Sequence, residues 1–386
     1  MPQKMPNDII VCIPAYKENE ITKTLHSLSA CDVQDLAIRV LVLINGSEKD
    51  SGLIKESNLK SFEEVSEWIE AYKGNIDFEL LLELDLPVKH AGVGLARKIL
   101  GNKAAEDNKI EGINGVLVYL DADCTVKKNY LQAIASFFSK YNFEAAAIHF
   151  EHGIGTNNAI LEYELHLRYY ILMQRFIGLP YGIHTVGSSM ACLSDSYLKK
   201  GGMNKRKAGE DFYFLQKFIK DGVCGNLTET TVYPSSRKSE RVPFGTGRAM
   251  LKYEEEAFEW PTYSPEAFLL IRDFIDKRTS FYEGIVGFEN LNTGLIAFLE
   301  SINAKESIEL IKKNVASWAA FEKRFFQFFD AFHLMKCLHF LRDEYSINDV
   351  PISEAVRWYF DEVLKEDLPE GLVKKLHKIR EVDCGY

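Results

Sequence analysis

The chain has 386 residues and a formal net charge of −10, with 46% hydrophobic and 12% aromatic side chains. This length predicts about two to three domains, each able to bury a core. The acidic balance argues against broad nucleic-acid binding, which needs a basic field, and no stretch of sequence approaches the roughly 20 apolar residues of a membrane span.

The first 20 residues lack the long apolar segment of a secretory signal. Seven cysteines are scattered along the chain without C-x-x-C spacing, a pattern typical of reduced thiols in a cytosolic protein. We therefore expect a cytoplasmic protein without disulfides, and peripheral contact with a membrane stays open.

Strand-like and helix-like segments alternate over the first 150 residues. Apolar runs predict strands at residues 8–13, 38–44, 78–84, 116–120 and 145–150. Amphipathic spacing predicts helices at residues 19–30, 61–73, 93–108 and 129–141. This rhythm predicts an α/β domain over residues 1–250, with a doubly wound, mostly parallel sheet and helices on both faces.

Helical patterns dominate from residue 251 to 386, where we expect a separate all-helical C-terminal domain. Apolar residues recur there every three to four positions, at Trp318, Phe321, Phe325, Phe328, Phe332 and Met335. This spacing predicts one apolar helix face. The face is typical of a buried helix, and a surface for a protein partner, lipid acceptor or membrane is the alternative that stays open.

The sequence Leu-Asp-Ala-Asp at residues 120–123 ends a run typical of a buried strand. Alternation along the strand would point Asp121 and Asp123 to the same side. Two adjacent carboxylates repel each other unless a cation neutralises them, and a hard divalent ion that bridges to a diphosphate suits them. The alternative for an isolated D-x-D is the capping of a following turn or helix.

Four further segments lie where predicted strands end or helices begin. They are IPAYKENE at 13–20, NGS at 45–47, HAGVGLARK at 90–98 and GED at 209–211. In this order and spacing they resemble the family 2 glycosyltransferases over roughly residues 8–233. The resemblance implies a nucleotide-diphospho-sugar transferase of the GT-A fold, with Mn²⁺ or Mg²⁺ on Asp121 and Asp123.

Glycines at 92 and 94 precede a predicted helix, where backbone amides can approach a phosphate and Arg97 can reach its oxygens. A helix cap is the alternative. Tyr16 offers a flat apolar face with a polar tip; the resemblance places it against the nucleobase, and a partly buried turn aromatic is the alternative. The donor-binding residues that the resemblance implies are Pro14, Tyr16, Glu18, Asn45, Gly92, Arg97 and Asp121.

Glu210 and Asp211 stand before a predicted helix at residues 212–220, so helix capping is one interpretation. The resemblance implies that Asp211 is the catalytic base that deprotonates the acceptor hydroxyl, with Glu210 as its neighbour or backup. A carboxylate near like charges and away from bulk water would have a raised pKa, which suits a general base.

The segment 236–248 holds four basic residues and two glycines in an acidic protein. It is typical of a lid on the donor diphosphate, with Arg237, Arg241 and Arg248 as ligands, and a solvated loop is the alternative. Residues 182–190 are expected to border the donor sugar or acceptor, with a buried turn as the alternative.

One position departs from the family pattern. The family usually has an acidic contact to the base just before the NGS segment, where this chain has Ile44. The identity of the nucleotide therefore cannot be inferred from the resemblance to the family. His149, Glu151 and His152 form a polar patch whose spacing fits no standard metal site.

The resemblance thus implies an inverting, metal-dependent glycosyltransferase of hexosyltransferase type. Its donor would be a nucleotide-diphospho-sugar, and its hydroxyl acceptor stays open, with a glycan and a lipid-linked molecule both consistent. A sugar nucleotidyltransferase is one alternative, but it would need a glycine-rich basic loop in place of PAYKENE at residues 14–20. A non-catalytic nucleotide-binding relative is the other alternative.

Overall fold

The computed structural model describes residues 8–155, 158–235 and 259–385. These residues form two compact units. The first unit comprises residues 8–155 and 183–235, and the second comprises residues 158–182 and 259–385. The second unit therefore combines an internal segment of the chain with its C-terminal part.

The first unit is built on a sheet of eight strands. They are β1 (Asp8–Ala15), β2 (Ala37–Ser47), β3 (Ile76–Leu86), β4 (Val116–Tyr119), β5 (Thr125–Val126), β6 (Ala145–Phe150), β7 (Met190–Leu193) and β8 (Cys224–Tyr233). The spatial order is β3-β2-β1-β4-β7-β6-β8-β5. The strands from β3 to β4 run parallel, whereas β7 is antiparallel to both of its neighbours.

Helices of the first unit connect these strands. They are α1 (Ile21–Ser29), α2 (Gly52–Ala71), α3 (Val93–Glu111), α4 (Tyr130–Lys140), α6 (Ser194–Lys199) and α7 (Glu210–Ile219). The helix predicted at 61–73 begins nine residues earlier, at Gly52. Leu53 and Leu59 in its first turns are 78% and 41% exposed, so those turns show no apolar stripe that the sequence pattern could reveal.

The central strands are apolar because both of their faces are covered. Residues 9–13 of β1 are at most 3% exposed, and residues 116–119 of β4 are fully buried. β-Branched and aliphatic side chains fit such a doubly covered parallel sheet. The α/β class predicted from the sequence is confirmed, with a sheet that is more mixed than the predicted mostly parallel one.

The second unit is helical apart from the short antiparallel pair β9 (Pro261–Thr262) and β10 (Val350–Pro351). Its helices are α5 (Asn158–Phe176), α8 (Pro265–Asp276), α9 (Arg278–Glu283), α10 (Thr293–Ser301), α11 (Ala304–Lys313), α12 (Trp318–Phe328), α13 (Ala331–Tyr345), α14 (Ile352–Trp358) and α15 (Leu372–Cys384), with a π-helix at Tyr359–Leu364. The predicted helical C-terminal region is confirmed.

The continuous apolar face predicted from Trp318 to Met335 is divided between α12 and α13. Asp330 breaks it, because its Oδ1 accepts hydrogen bonds from the backbone N–H groups of Phe332 and His333 and caps a new helix. Phe321 and Phe325 are fully buried, and Phe325 packs against Phe274 at 5.5 Å between ring centroids. These residues form core, as the first interpretation expected.

A buried ionic cluster joins α5 to α15 within the second unit. Glu164 accepts bonds of 2.8 Å from the guanidinium groups of Arg168 and Arg380. Arg168 also donates to Asp383, and the Arg168 and Glu164 side chains are fully buried. Each charge has a partner, as burial in a helical core requires.

Within the three described stretches, helices that are both long and apolar enough to cross a bilayer are absent.

Candidate active site

The candidate site lies at the carboxyl ends of β1, β2 and β4, which are neighbours in the parallel part of the sheet. Ala15 at the end of β1 pairs with Ile44, and Cys12 pairs with Tyr119 of β4. This register brings the segments that follow the three strands to one edge, where open α/β sheets bind ligands.

Asp121 and Asp123 follow β4 at this edge. Both side chains are half-buried, whereas Leu120, Ala122 and Cys124 around them are buried. The Cys124 N–H donates to the Asp121 carbonyl oxygen at 3.1 Å, which fixes a turn. Both carboxylates therefore belong to a turn that follows the strand rather than to the strand itself, and their position on one side stays a prediction.

Arg97 lies between two carboxylates that come from distant parts of the chain. Its Nη2 donates to Asp121, and its Nη1 donates to Glu210 at the start of α7. Arg97 is 3% exposed and Glu210 is 2% exposed. The two carboxylates raise the pKa of the Arg97 guanidinium against the opposing effect of burial, so the arginine is charged at every physiological pH.

Two glycines permit this arrangement. A Cβ at Gly94 would lie 2.1 Å from the carbonyl oxygen of Arg206, so α3 could not approach the chain that leads into α7. A Cβ at Gly187 would lie 2.2 Å from Nη1 of Arg97. Gly187 therefore lies against the guanidinium. It belongs to the segment 182–190, which the sequence predicted to border the donor sugar or acceptor.

Glu210 and Asp211 form the first turn of α7 rather than preceding the helix. Gly209 before them has a φ of 70°, in the left-handed region that favours glycine. The Asp211 Oδ1 accepts a hydrogen bond of 2.8 Å from the Phe212 N–H. Neither carboxylate caps the helix from outside.

The pKa of Asp211 is raised from 3.8 to about 6. Desolvation is the largest cause, and the negative charge of Glu210 adds to it; Arg97 and the Phe212 N–H oppose it. Asp211 is half-buried. Part of its side chain therefore remains accessible to a substrate. A carboxylate with a pKa near 6 is poised to accept a proton at neutral pH.

The segment after β1 is tied to the segment that follows β2. Asn58 of α2 accepts a bond of 2.9 Å from the Lys17 N–H and donates one of 3.1 Å to the Asn45 carbonyl oxygen. Lys17 has a φ of 52°, unusual for a residue with a side chain. The Ser61 hydroxyl donates to the Glu18 carbonyl oxygen at 2.8 Å. Asn58 was not predicted as a site residue, because the sequence pattern predicted this helix to begin only at residue 61.

Tyr16 and Asp50 form a second link between the same segments. The Tyr16 hydroxyl donates to Asp50 Oδ1 at 3.1 Å, and the Ser47 N–H donates to Asp50 Oδ2 at 2.8 Å. Burial and the Asp50 carboxylate raise the pKa of Tyr16 to about 12. Asp50 was not predicted as a site residue either, although it follows the NGS segment by three positions.

The strand predicted to end at residue 44 is longer than expected, because Asn45, Gly46 and Ser47 continue β2. The strand pairing shifts register between Asn45 and Ser47, and a glycine inside a strand often marks such an irregularity. Ile44 is 1% exposed within β2. It is a core residue, so its side chain offers no surface to a nucleobase.

Several other predicted residues have defined positions. Pro14 and Asn45 are buried, and Glu18 is 2% exposed with its Oε1 accepting the Glu20 N–H at 3.0 Å. Gly92 is half-buried at the start of α3 beside Lys207. The residues predicted for the lid, Arg237, Arg241 and Arg248, lie outside the described residues.

The carboxylate oxygens of Asp121 and Asp123 are suitable ligands for a hard divalent ion that keeps several waters and binds substrate phosphates. Such ions are held by only one or two carboxylates in many phosphate-binding sites. Among the residues that the structure describes, clusters of three or more histidine, cysteine or acidic side chains that could hold a metal are absent. His149 and Glu151 bond to each other at 3.0 Å.

Family models give no match to this chain, and curated proteins give no significant match. Solved structures similar to it include S. aureus TarS 1-349 with UDP-GlcNAc, at 13% identity over 81% of this chain and 93% of that chain, with a TM-score of 0.45. The mannosyltransferase PcManGT from Pyrobaculum calidifontis, in complex with GDP-Man and Mn²⁺, is 12% identical over 100% and 87%, with a TM-score of 0.43. GalNAc-T7 with UDP, GalNAc and Mn²⁺ is 14% identical over 77% and 54%, with a TM-score of 0.40. Likeness at this level does not identify a function, which has to rest on the geometry of the site.

Proposed function

We propose that the chain is an inverting glycosyltransferase of hexosyltransferase type, which moves a sugar from a nucleotide-diphosphate donor to a hydroxyl acceptor. The observation that carries this proposal is the position and pKa of Asp211. Its pKa of about 6 arises beside Glu210 and Arg97, and Arg97 contacts Asp121 at the end of β4. A proton acceptor and a strand-end aspartate thus belong to one connected group of side chains.

Asp211 is the general base of the proposed reaction. It accepts the proton of the acceptor hydroxyl while that oxygen forms a bond to the anomeric carbon. The bond from the anomeric carbon to the diphosphate oxygen breaks at the same time, and the nucleotide diphosphate leaves with the bonding electrons. Attack opposite to the leaving group inverts the configuration of the anomeric carbon.

Asp121 and Asp123 would hold the divalent ion, Mn²⁺ or Mg²⁺. When bound, such an ion neutralises the negative charge that develops on a leaving diphosphate. The half-buried positions of both carboxylates support this assignment, because they remain within reach of a ligand.

The donor would lie against the ends of β1 and β2. Tyr16 and Asp50 are linked there by a hydrogen bond of 3.1 Å, and Asn58 holds the backbone of Lys17 and Asn45 in place. We place Pro14, Tyr16, Glu18, Asn45 and Gly92 along the donor. Buried Pro14, Glu18 and Asn45 would shape this surface through their backbone.

A nucleotide-binding protein without turnover is the second candidate. Buried Ile44 favours it, because the usual acidic contact to the base is missing at that position. The raised pKa of Asp211 has no use in such a protein, since it costs folding stability without serving a reaction.

Thermal unfolding with nucleotide diphosphates tests the donor assignment. The panel includes UDP and GDP, each with and without Mn²⁺. We expect at least one nucleotide to raise the melting temperature only when Mn²⁺ is present. Asp123→Ala should weaken that binding about tenfold or more, whereas Asp32→Ala in an exposed loop of the same unit serves as the matched control. Nucleotide affinity that changes neither when Mn²⁺ is removed nor when Asp123 is replaced would refute the metal assignment.

A further inference from the structure

We infer that Arg97 is a positioning residue, a buried counter-ion that holds Asp121 and Glu210 in one arrangement, rather than a ligand of the donor diphosphate. This inference replaces the donor-binding role that the sequence suggested for Arg97. It rests on the proposed function for the roles of Asp121 and Asp211.

The burial of Arg97 argues against direct contact with the donor. The residue is 3% exposed, and both terminal nitrogens already donate to carboxylates. The remaining donor, Nε, is also buried and has no partner among the residues that the structure describes. Gly187 lies against the guanidinium so closely that a Cβ there would overlap Nη1. In this arrangement a phosphate oxygen could not approach any of the three nitrogens.

The two partners of Arg97 explain what the guanidinium does instead. Asp121 follows β4 and Glu210 begins α7, and 113 positions separate Arg97 from Glu210 along the chain. A planar guanidinium bonds two carboxylates in a fixed relative orientation. Because Asp211 is the next residue after Glu210, the same contacts set where the proposed base stands relative to the proposed metal-binding aspartate.

Charge balance gives the arrangement its stability. Glu210 is 2% exposed, so the loss of Arg97 would leave a buried carboxylate without a counter-ion. The substitution Glu210→Gln removes that charge and nearly keeps the side-chain volume. The pair of changes is therefore expected to be much less harmful than Arg97→Met alone.

A double-mutant cycle in urea tests this coupling on the full-length protein. Arg97→Met should lower the unfolding midpoint clearly, and Arg97→Met with Glu210→Gln should recover at least half of that loss. The matched control is Arg39→Met with Asp107→Asn, which removes a half-exposed ion pair of 3.1 Å in the same unit. The control cycle should show little coupling. Additive effects of Arg97→Met and Glu210→Gln would overturn the inference.

Nucleotide affinity and turnover separate a positioning residue from a donor ligand. In the presence of Mn²⁺, the Kd of the double variant for UDP or GDP should be at most about threefold higher than that of Glu210→Gln. Its turnover should fall by roughly 10-fold to 100-fold, because small misplacements of reacting groups are costly. A Kd that rises tenfold at unchanged turnover would make Arg97 a donor ligand and overturn the inference. If the wild-type protein binds no nucleotide diphosphate, the proposed function fails, and the urea cycle alone then decides the role of Arg97.

Discussion

Replacing Asp211 with asparagine should abolish most of the activity and stabilise the fold, and the size of the second effect should depend on pH. The substitution keeps the size of the side chain and an oxygen that can accept the Phe212 N–H bond. It removes the proton-accepting charge, which should lower sugar transfer by about 10²-fold or more. If the proposed function holds, turnover of the wild-type protein should fall as the pH drops through about 6, because Asp211 becomes protonated.

The stability effect follows from the same pKa. A rise from 3.8 to about 6 means that ionised Asp211 destabilises the folded state by about 3 kcal/mol, at 1.36 kcal/mol per pKa unit. Since Asp211 is half-buried, solvent screens part of this effect. We therefore expect a destabilisation of about 1 to 3 kcal/mol. The raised pKa favours the protonated form, so wild-type stability is lost as pH rises from about 4 to about 6. Between pH 5 and pH 8 the advantage of the variant should grow by about 1 kcal/mol.

Urea unfolding of wild type and Asp211→Asn at pH 5 and pH 8 measures this growth directly. Asp195→Asn is the matched control, because Asp195 also lies in the first turn of a helix of the same unit. Taking the difference between variant and wild type at each pH cancels the titration of other groups. A variant that is less stable than wild type at pH 8 would refute the reasoning and make Asp211 chiefly a helix-stabilising residue.

Two further predictions concern the scaffold. Asn58→Ala should destabilise the first unit by about 1 to 3 kcal/mol and weaken nucleotide binding, because Lys17 and Asn45 each lose a hydrogen bond; urea unfolding and calorimetry measure the two effects, and a loss below about 0.5 kcal/mol would show that water replaces the amide. Asp383→Leu should destabilise the second unit by about 3 to 5 kcal/mol, because Arg168 stays buried with one counter-ion fewer. Unfolding followed by tryptophan fluorescence checks this value, with exposed Asp343→Leu as the control, and equal effects of the two changes would contradict it.

Sequence alone predicted the strands that carry the site, because their apolar runs and strand-end carboxylates are local features. Asp121, Asp123 and Asp211 were each predicted as candidates for chemistry, and the structure connects Asp121 to the first turn of α7 through Arg97. Their roles stay predictions. The orientation of Arg97 toward Glu210 was not predictable, since the two residues are far apart in the sequence and a phosphate would suit the same guanidinium.

The remaining differences also have local causes. Helix α2 was predicted too short because Leu53 and Leu59 face solvent, and this shortening hid Asn58. The break between α12 and α13 was missed because Asp330 interrupts an apolar spacing that otherwise continues across both helices. A side chain that accepts two backbone N–H bonds can end one helix and start another without any change in apolar periodicity.

The ionic cluster of the second unit has a consequence for the order of folding during synthesis. Arg168 and Asp383 are 215 positions apart, and Glu164 and Arg380 are 216 apart. At about 5 to 20 residues per second, translation leaves α5 without these counter-ions for roughly 10 to 40 s. During that interval Glu164 and Arg168 can satisfy each other only within their own helix, and the side of α5 that packs against α15 stays uncovered. We therefore expect the ribosome-bound chain to expose this side of α5 to aggregation and to chaperone binding well after the first strands of the sheet have been made.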